Sequence, residues 1–381
     1  MHIYWLLASF IDSKASKAPR IEILKELEKL GNKVFLVTSF KKEKPDLQVN
    51  VIYLKIIKNP FFAKLSFNIK SFLYFSSKHN REEDTIIIID QNSIYAGVAL
   101  QLLSKIIFKK RLKVHFDVRT VPVEIRGLKG YLDRVFFWYI ALFLAKRLLT
   151  SYSFITKTIQ DVAGFNNKDC CIWSSGVNAE KFNPEQYPSK KKDIFILFYH
   201  GVVTPNRGLR ETLKAVNLIK DKIPNFLFRI VGDGSDINYL KEYVMCHNLT
   251  KYVDFAGFVD YEKIPSFISQ ADVCICPLPD IPWWRVSSPL KIIEYTAMGK
   301  PCILTEIKPH QDYIPKGLNG IYWAGKGTPE EIAEAIMSAY NERKSFDNYR
   351  QNLRAAALNH TWEKQATILY KYLLRKVEQG T

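Results

Sequence analysis

Short apolar runs alternate with longer segments of helical periodicity along the first half of the chain. The apolar runs predict strands at 3–10, 33–38, 51–57, 85–89 and 113–116. The helical patterns predict helices at 19–30, 61–78, 93–108 and 129–146. Strands that are apolar at nearly every position and alternate with helices favour a parallel sheet covered on both faces.

A Pro-rich, basic stretch at 183–193 lacks this periodicity and is typical of a linker. Beyond it the alternation restarts, with strands predicted at 194–200, 226–231, 252–258, 273–276 and 302–305. Helices are predicted at 209–220, 237–247, 261–270, 289–298, 329–342 and 361–377. The pattern predicts an α/β fold of two doubly wound domains, 1–182 and 183–360, followed by a closing helix at 361–381. A ligand cleft is expected between the domains, at the carboxyl ends of strands.

The length of 381 residues and the 47% hydrophobic content suffice for two buried cores. The longest apolar run, 135–145, is too short to span a membrane, and the N-terminus predicts a first strand rather than a signal peptide. The six cysteines contain no Cys-x-x-Cys spacing and lie mostly in apolar runs. They are expected to be buried thiols of a reducing compartment, which predicts a cytoplasmic protein without a metal site.

The net charge of +17 is concentrated in the first half of the chain, where residues 1–190 carry 30 Lys and Arg against 17 Asp and Glu. This excess favours an anionic partner. Aromatic and basic side chains alternate in 60–78 and 131–147, which indicates either ordinary core-facing helices or peripheral contact with the anionic inner face of the cell membrane. The sequence contains no recognisable nucleic-acid module, so no nucleic acid is expected as a partner.

The most informative segment is 286–304, which predicts a loop, a capped helix, a glycine stop and a buried strand. Ser288 suits the N-cap position and Pro289 the first helical position. Lys291 and Glu294 are three residues apart and therefore share a helix face. A helix N-terminus with a cation attracts a phosphate group, and a carboxylate one turn later accepts hydrogen bonds from sugar hydroxyls. Together they indicate a site for a nucleoside diphosphate.

Three further glycine loops follow predicted strands in the second half. Gly201 ends the first strand and precedes Arg207, whose guanidinium suits phosphate oxygens. The sequence Gly232-Asp233-Gly234 ends the next strand, and Gly257 ends the third. Each loop alone is most simply an ordinary α/β turn. Their joint occurrence in this order indicates a ligand site.

With these motifs, the second half resembles the C-terminal domain of family 4 glycosyltransferases, which belong to the GT-B group with two facing Rossmann-like domains. The first half resembles that group in architecture only. The resemblance rests on the segments Ser174–Pro184, Gly201, Arg207–Gly208, Val231–Gly234, Phe255–Gly257, Ala271–Pro277, Ser288–Tyr295, Gly299–Ile303 and Thr361–Trp362.

The resemblance implies a retaining transferase that moves a sugar from a nucleotide-diphosphate sugar to a saccharide or lipid-linked saccharide, as in surface polysaccharide assembly. No cofactor and no metal are expected. The first domain would hold the acceptor, the second the donor, and the closing helix would cross back to the first. Arg207 and Lys291 would neutralise the diphosphate, and Glu294 would bind the ribose. The full set of expected donor contacts is Gly201, Arg207, Gly232, Asp233, Gly234, Ser287, Ser288, Pro289, Leu290, Lys291 and Glu294.

The chain departs from the family pattern at one important position. Many members carry a second glutamate eight residues before Glu294, where this chain has Val286. Asp280 is a candidate for the missing carboxylate. The adjacent Trp283 and Trp284 are expected either to stack on a sugar or to pack their loop onto the domain.

In the first domain, Asp117 lies at the end of a predicted strand. It is a candidate catalytic residue that stabilises positive charge on the reacting sugar or orients the acceptor hydroxyl. His115 and Arg119 are candidate contacts to the sugar or to an anionic group. The simpler alternative is that Asp117 caps a turn and pairs with Arg119.

Two other functions fit the same architecture. A nucleotide-sugar epimerase would convert the donor without any acceptor, so product analysis separates it from a transferase. A basic, non-catalytic protein that binds membrane or nucleic acid would keep the fold without the chemistry. The valine at 286 gives that alternative some support, and the lack of a recognisable nucleic-acid module opposes it. Fold alone does not distinguish these functions.

Overall fold

The computed structural model describes residues 1–10, 18–40, 47–59, 62–77, 84–104, 112–122, 127–188, 193–288 and 290–379. The chain forms two compact units, Met1–Ser175 with Trp362–Thr381, and Gly176–Thr361. The second unit begins ahead of the boundary expected at 183. The reason is that Val177 pairs with Thr361 and Phe182 is buried in the core of that unit.

The first unit is built on a parallel sheet of seven strands in the described part of the chain, in the order β3-β2-β1-β4-β5-β6-β7. The strand order reverses between β1 and β4, which defines a switch point. The near-continuous apolar strand at 85–89 is fully buried, as a sheet covered on both faces requires. The strands are β1 (His2–Phe10), β2 (Lys33–Ser39), β3 (Val51–Tyr53), β4 (Thr85–Ile89), β5 (Leu112–Val118), β6 (Ser151–Phe154) and β7 (Cys171–Ile172).

The helices of the first unit follow the predicted pattern with two differences: α6 was not predicted, and one predicted helix is irregular. The predicted helix at 129–146 is interrupted by a π-helical turn, Val135–Tyr139, which joins two α-helices. The helices are α1 (Ala18–Lys29), α2 (Ala63–Ser76), α3 (Ile94–Ser104), α4 (Gly127–Arg134), α5 (Ile140–Leu148) and α6 (Lys157–Val162). No helix in the described ranges is both long enough and apolar enough to cross a bilayer.

The second unit has a parallel sheet of six strands within the described residues, in the order β10-β9-β8-β11-β12-β13. Its switch point lies between β8 and β11. Consecutive residues of β8 point to opposite faces, so Leu197 joins one apolar core and Phe198 the other. The strands are β8 (Phe195–His200), β9 (Phe226–Val231), β10 (Val253–Gly257), β11 (Val273–Cys276), β12 (Cys302–Leu304) and β13 (Ile321–Trp323).

Helices cover both faces of this second sheet. The predicted helix at 261–270 is a 3₁₀ turn, Tyr261–Lys263, followed by a short α-helix that has a proline in its first turn. The α-helices are α7 (Leu209–Ile219), α8 (Ile237–Cys246), α9 (Ile264–Ser269), α10 (Pro282–Arg285), α11 (Leu290–Ala297), α12 (Lys308–Tyr313), α13 (Pro329–Glu342) and α14 (Phe346–Ala357). The closing helix α15 (Trp362–Glu378) belongs to the first unit, where it packs on α1 and β7.

Candidate active site

The loops after β8 and β9 lie backbone against backbone, beside the switch point of the second sheet. Gly201 follows β8 directly, and its N–H donates to the carbonyl of Val231 over 2.8 Å. A Cβ atom placed on Gly232 would lie 1.9 Å from the carbonyl oxygen of Gly201. This close approach explains why a glycine is required at position 232. Gly234 closes the turn by donating its N–H to Oδ1 of the exposed Asp233 over 2.7 Å.

Lys291 reaches this backbone from the first turn of α11, which begins at Leu290. A Cβ atom placed on Gly201 would lie 2.5 Å from Cε and 2.9 Å from Nζ of Lys291. The ammonium is also 5.4 Å from the ring centre of Tyr199. Burial, and then the positive charge of Arg207, lower the pKa of Lys291 to about 8. A cation that is disfavoured in this way is stabilised when an anion binds beside it.

Arg207, the second cation, lies against Trp284 of the short helix α10, which precedes α11. Its guanidinium carbon lies 4.3 Å from the ring centre of Trp284, whose Nε1 donates to the carbonyl of Asn206 over 2.7 Å. Among the described residues, Nε of Arg207 is buried and has no hydrogen-bond partner. Trp284 thus packs onto its own domain and orients Arg207. Of the two roles expected for this tryptophan, these contacts correspond to packing.

Glu294 lies one turn beyond Lys291 on the same helix and is 1% exposed. Its Oε2 lies 2.9 Å from Nε2 of His200, and its Oε1 accepts a hydrogen bond of 2.6 Å from the Tyr261 hydroxyl. A carboxylate has about four lone-pair sites, so each oxygen can accept a further bond. Sequence reasoning missed His200 and Tyr261. The only local signal was the position of His200 immediately before Gly201.

The loop before α11 contributes several of the expected donor contacts. The Ser287 hydroxyl donates to a backbone carbonyl of α10 over 2.8 Å, and the Ser288 hydroxyl is hydrogen-bonded to that of Tyr313. In the part of the chain described here, Nε1 of Trp283 is buried and has no hydrogen-bond partner. Pro289 lies outside the described residues. The two serines are therefore anchored to the protein beside the Lys291 turn.

Asp280, the candidate for the missing carboxylate, is engaged in an exposed ion pair. Its two oxygens accept from Nε and Nη2 of Arg285 over 2.7 and 3.0 Å. These bonds hold the pKa of Asp280 below its usual range. Val286, at the family's glutamate position, is buried. Asp280 would have to leave Arg285 before it could serve a sugar.

Asp117 lies near the carboxyl end of β5 in the first unit and is buried. Its Oδ1 accepts hydrogen bonds from the Ser153 hydroxyl (2.6 Å) and from Nε1 of Trp173 (3.0 Å). Its Oδ2 is buried without a hydrogen-bond partner among the described residues. Burial raises the pKa of Asp117, while the charge of Arg119 opposes that rise. One carboxylate oxygen is thus held firmly and the other is left to accept a bond.

His115 is 1% exposed and both of its ring nitrogens are engaged, whereas the sequence led us to expect a contact with a sugar. Nδ1 lies 2.8 Å from the Ser151 hydroxyl, and Nε2 lies 2.7 Å from that of Ser153. Burial, and then the charge of Lys376, lower its pKa to about 3. The imidazole is therefore neutral near pH 7, and the serines of β6 satisfy it.

Arg119 is held by a tryptophan of the same unit. Its Nη1 donates to the carbonyl of Trp173 over 2.7 Å, and its guanidinium carbon lies 3.5 Å from the ring centre of that residue. Asp117 binds the indole N–H of the same Trp173. The indole ring thus links the two charged side chains that the sequence placed together.

The cysteines are free thiols, and Cys274, Cys276 and Cys302 are buried in strands, as predicted. Across the described ranges, no group of three or more His, Cys, Asp or Glu side chains is arranged to hold a metal ion. In the second unit, the charges of Arg207 and Glu294 both act on Lys291, and His200 contacts the Glu294 carboxylate.

Comparison with known proteins agrees with this arrangement. Residues 179–359 match the family described as Glycosyl transferases group 1. The chain is 24% identical over 208 residues to the N,N'-diacetylbacillosaminyl-diphospho-undecaprenol alpha-1,3-N-acetylgalactosaminyltransferase of Campylobacter jejuni, covering 51% of each protein. It is 23% identical over 372 residues to the capsular polysaccharide biosynthesis glycosyltransferase CapM of Staphylococcus aureus, covering 92% of this chain and 93% of CapM. The chain spans about half the length of most of the curated relatives it matches.

Solved structures match along the whole chain. A glycosyltransferase from Rickettsia africae superimposes with a TM-score of 0.72 at 17% identity, covering 100% of this chain and 98% of that one. Anabaena HepE in complex with UDP gives a TM-score of 0.72 at 15% identity, covering 98% and 100%. The predicted fold class, GT-B with two Rossmann-like α/β domains, is confirmed. The match of residues 179–359 to the group 1 family confirms the predicted resemblance to GT-B glycosyltransferases, whereas family 4 membership stays a prediction.

Proposed function

We propose that the protein is a retaining glycosyltransferase that uses a nucleotide-diphosphate sugar as donor. The observation that carries the proposal is the Lys291 ammonium against the backbone of Gly201, with the Arg207 guanidinium near enough for its charge to lower the pKa of Lys291. This place follows β8 at the switch point of its sheet, where open α/β folds bind ligands. Two neighbouring cations repel one another, and a diphosphate between them relieves that repulsion.

The same geometry supports chemistry as well as binding. When the bond between the anomeric carbon and the phosphate oxygen breaks, negative charge develops on the departing nucleoside diphosphate. Lys291 lies beside the ring of Tyr199 and Arg207 beside that of Trp284, and cations held in this way lower the barrier when they face the developing charge. The acceptor hydroxyl oxygen forms the new bond to the same carbon, and its proton passes to the departing diphosphate, which has gained a negative charge. Retention of configuration rests on the family resemblance.

Glu294 is assigned to the ribose. His200 holds Oε2 on the buried side, and Tyr261 approaches Oε1 on a side that is only partly buried. A ribose hydroxyl is therefore expected to bond to Oε1, next to or in place of the Tyr261 hydroxyl. A hydrogen bond to a charged acceptor contributes about 1.5–3 kcal/mol.

The acceptor is assigned to the class of saccharides or lipid-linked saccharides. The Campylobacter relative is named for a diphospho-undecaprenol acceptor, and CapM for capsular polysaccharide biosynthesis. Asp117, whose Oδ2 has no hydrogen-bond partner among the described residues, is assigned to orient the acceptor hydroxyl or to stabilise positive charge on the sugar. The HepE structure holds UDP, which makes UDP the first nucleotide to test.

A thermal-shift screen against UDP, GDP, ADP, CMP and their sugar conjugates tests the donor site, because a ligand that binds only the folded state raises Tm. One nucleoside diphosphate is expected to raise Tm clearly. Product analysis with that sugar conjugate then follows, with and without a saccharide or polyprenyl-diphosphate acceptor. Sugar transfer only when the acceptor is present supports the proposal. Conversion of the donor sugar without an acceptor would identify an epimerase instead.

The variant Lys291→Met tests the role of the ammonium. Loss of a charge-stabilising group is expected to lower kcat by about 10²–10³-fold. Lys308→Met is the matched control, because Lys308 lies in an exposed ion pair with Asp312 at 2.8 Å. Near-normal turnover in Lys291→Met would show that other groups hold the diphosphate.

A further inference from the structure

Helix α2 is apolar on two opposite faces. Its inner face buries Phe67 and Phe75 completely. Its outer face carries a stripe at helical spacing whose members are 47–54% exposed: Phe62, Leu65, Ile69 and Leu73. A helix of a soluble domain normally presents polar residues on the outer face. This stripe is therefore not explained by the fold of the first unit.

The segment α4–π turn–α5 repeats the feature. Its inner face buries Trp138, Ala141 and Ala145. Its outer face carries large apolar side chains that are 46–74% exposed: Leu128, Tyr131, Phe136, Tyr139 and Phe143. Isolated exposed apolar residues are common, but a contiguous set marks an interaction surface.

The two outer stripes adjoin one another. Nζ of Lys64 on α2 lies 3.2 Å from the carboxylate of Asp133 on α4 and 4.6 Å from the ring centre of Phe137. An apolar groove of about 440 Å³ runs between the helices. It is lined chiefly by Phe62, Leu65, Phe136, Phe137 and Ile140. The two stripes and this groove together are called the apolar face below.

Basic side chains lie beside the aromatic rings of the apolar face at Lys64, Arg134 and Arg147. The sequence segments 54–77 and 127–148 contain eight basic residues and one acidic residue, Asp133, which pairs with Lys64. The guanidinium carbon of Arg134 lies 5.4 Å from the ring centre of Tyr139, and that of Arg147 lies 5.6 Å from the ring of Phe143. The basic groups therefore lie directly beside exposed aromatic rings.

An apolar face beside basic side chains favours one kind of binding partner. A second copy of the chain would bring an equally basic face against this one, which charge repulsion disfavours. An anionic bilayer offers phosphates to the basic groups and a hydrocarbon layer to the apolar side chains, as interfacial helices require. We infer that the apolar face docks onto an anionic lipid bilayer and that the groove takes a lipid hydrocarbon chain. The inference concerns the first unit alone and stands apart from the proposed reaction.

Vesicle flotation of the full chain tests the inference. The protein is expected to float with vesicles that contain about one third phosphatidylglycerol, to stay at the bottom with pure phosphatidylcholine, and to be partly released by salt. The double variant Leu65→Glu/Phe136→Glu is expected to lose flotation by at least tenfold. Met245→Glu is the matched control, because Met245 is 63% exposed on α8 in the other unit.

Both changes are at exposed positions, and an unchanged Tm confirms that the variants fold. Flotation of the control, together with loss in the double variant, supports the inference. Equal flotation of wild type and double variant would overturn it, as would a wild type that never floats. Sedimentation velocity tests whether a second copy of the chain binds the apolar face instead. A wild-type dimer that the double variant converts to monomers, without flotation of either protein, would also overturn the inference. None of these outcomes depends on sugar transfer.

Discussion

Nε2 of His200 lies 2.9 Å from Oε2 of Glu294, and this contact joins the last residue of β8 to the middle of α11. Both side chains are buried, and Tyr261 holds the other carboxylate oxygen over 2.6 Å. The carboxylate is therefore fixed in place by the protein itself. A group oriented in advance binds a ligand without losing further side-chain freedom, which favours affinity.

The variant Glu294→Ala is expected to bind the nucleoside diphosphate at least tenfold more weakly, because a hydrogen bond from the ribose to a charged acceptor is lost. Isothermal titration with the diphosphate and with its 2',3'-dideoxy analogue separates two causes. The analogue lacks the ribose hydroxyls, so wild type and variant are expected to bind it about equally. A similar loss with both ligands would instead assign Glu294 a purely structural role beside His200.

Sequence reasoning singled out Lys291 and Glu294 as candidates because their spacing on one helix is a local property. It did not find the contact between His200 and Glu294, because that contact depends on which helix packs against β8. The strand order places β8 between β9 and β11, and no local pattern contains that information. The expectation that Arg207 and Lys291 serve the same diphosphate came from the family resemblance and not from a local pattern.

The missed elements have equally physical reasons. Strand β6 contains two serines and is not an apolar run, yet it is fully buried because Ser153 bonds to His115 and Asp117. Helix α14 buries only Leu353 and Ala357 and is polar at most of its other positions, so it was not predicted. Long buried strands were predicted well because their apolar pattern is continuous.

Donor affinity is expected to fall as pH rises through about 8. The pKa of Lys291 is lowered to about 8, so its positive charge is present below that pH and lost above it. Binding of an anion favours the charged form, so affinity falls by up to tenfold per pH unit above the pKa. Titrations with the nucleoside diphosphate from about pH 7 to about pH 9.5 measure this slope.

The variant Lys291→Met is expected to bind the diphosphate weakly and without this slope, whereas Lys308→Met keeps it. A flat wild-type profile over the same range would remove the Lys291 ammonium from the diphosphate site.

The substitution Gly201→Ala is expected to lower both stability and donor affinity. The residue has a φ of +129°, and its new Cβ would lie 2.5 Å from Cε of Lys291. Gly317→Ala is the matched control, because its φ is +73° and a Cβ there meets nothing within 4 Å. Both variants carry backbone strain of about 1–3 kcal/mol, and only Gly201→Ala displaces the ammonium. Thermal melts and titrations are expected to give lower Tm for both and weaker donor binding for Gly201→Ala alone. Equal donor affinity in the two variants would contradict the contact between Gly201 and Lys291.

Asp117→Asn is expected to lower kcat by at least tenfold and to leave the affinity for the nucleoside diphosphate nearly unchanged. Asparagine keeps an oxygen that accepts from Ser153 and Trp173, so the fold of β5 is preserved while the charge is lost. Burial raises the pKa of Asp117. On acidification, the wild-type rate is therefore expected to fall at a pH above the usual aspartate pKa of about 3.9.

Ser153→Ala supplies a second test of the same carboxylate. The hydrogen bond from Ser153 lowers the pKa of Asp117, so its removal raises that pKa and moves the acidic limb of the rate profile to higher pH. A purely structural role of Asp117 predicts a different result. Both variants would then lower Tm, and the acidic limb of the pH–rate profile would stay where it is. Because a structural role has no reason to move a titration, the position of the acidic limb decides whether the Asp117 charge takes part in the reaction.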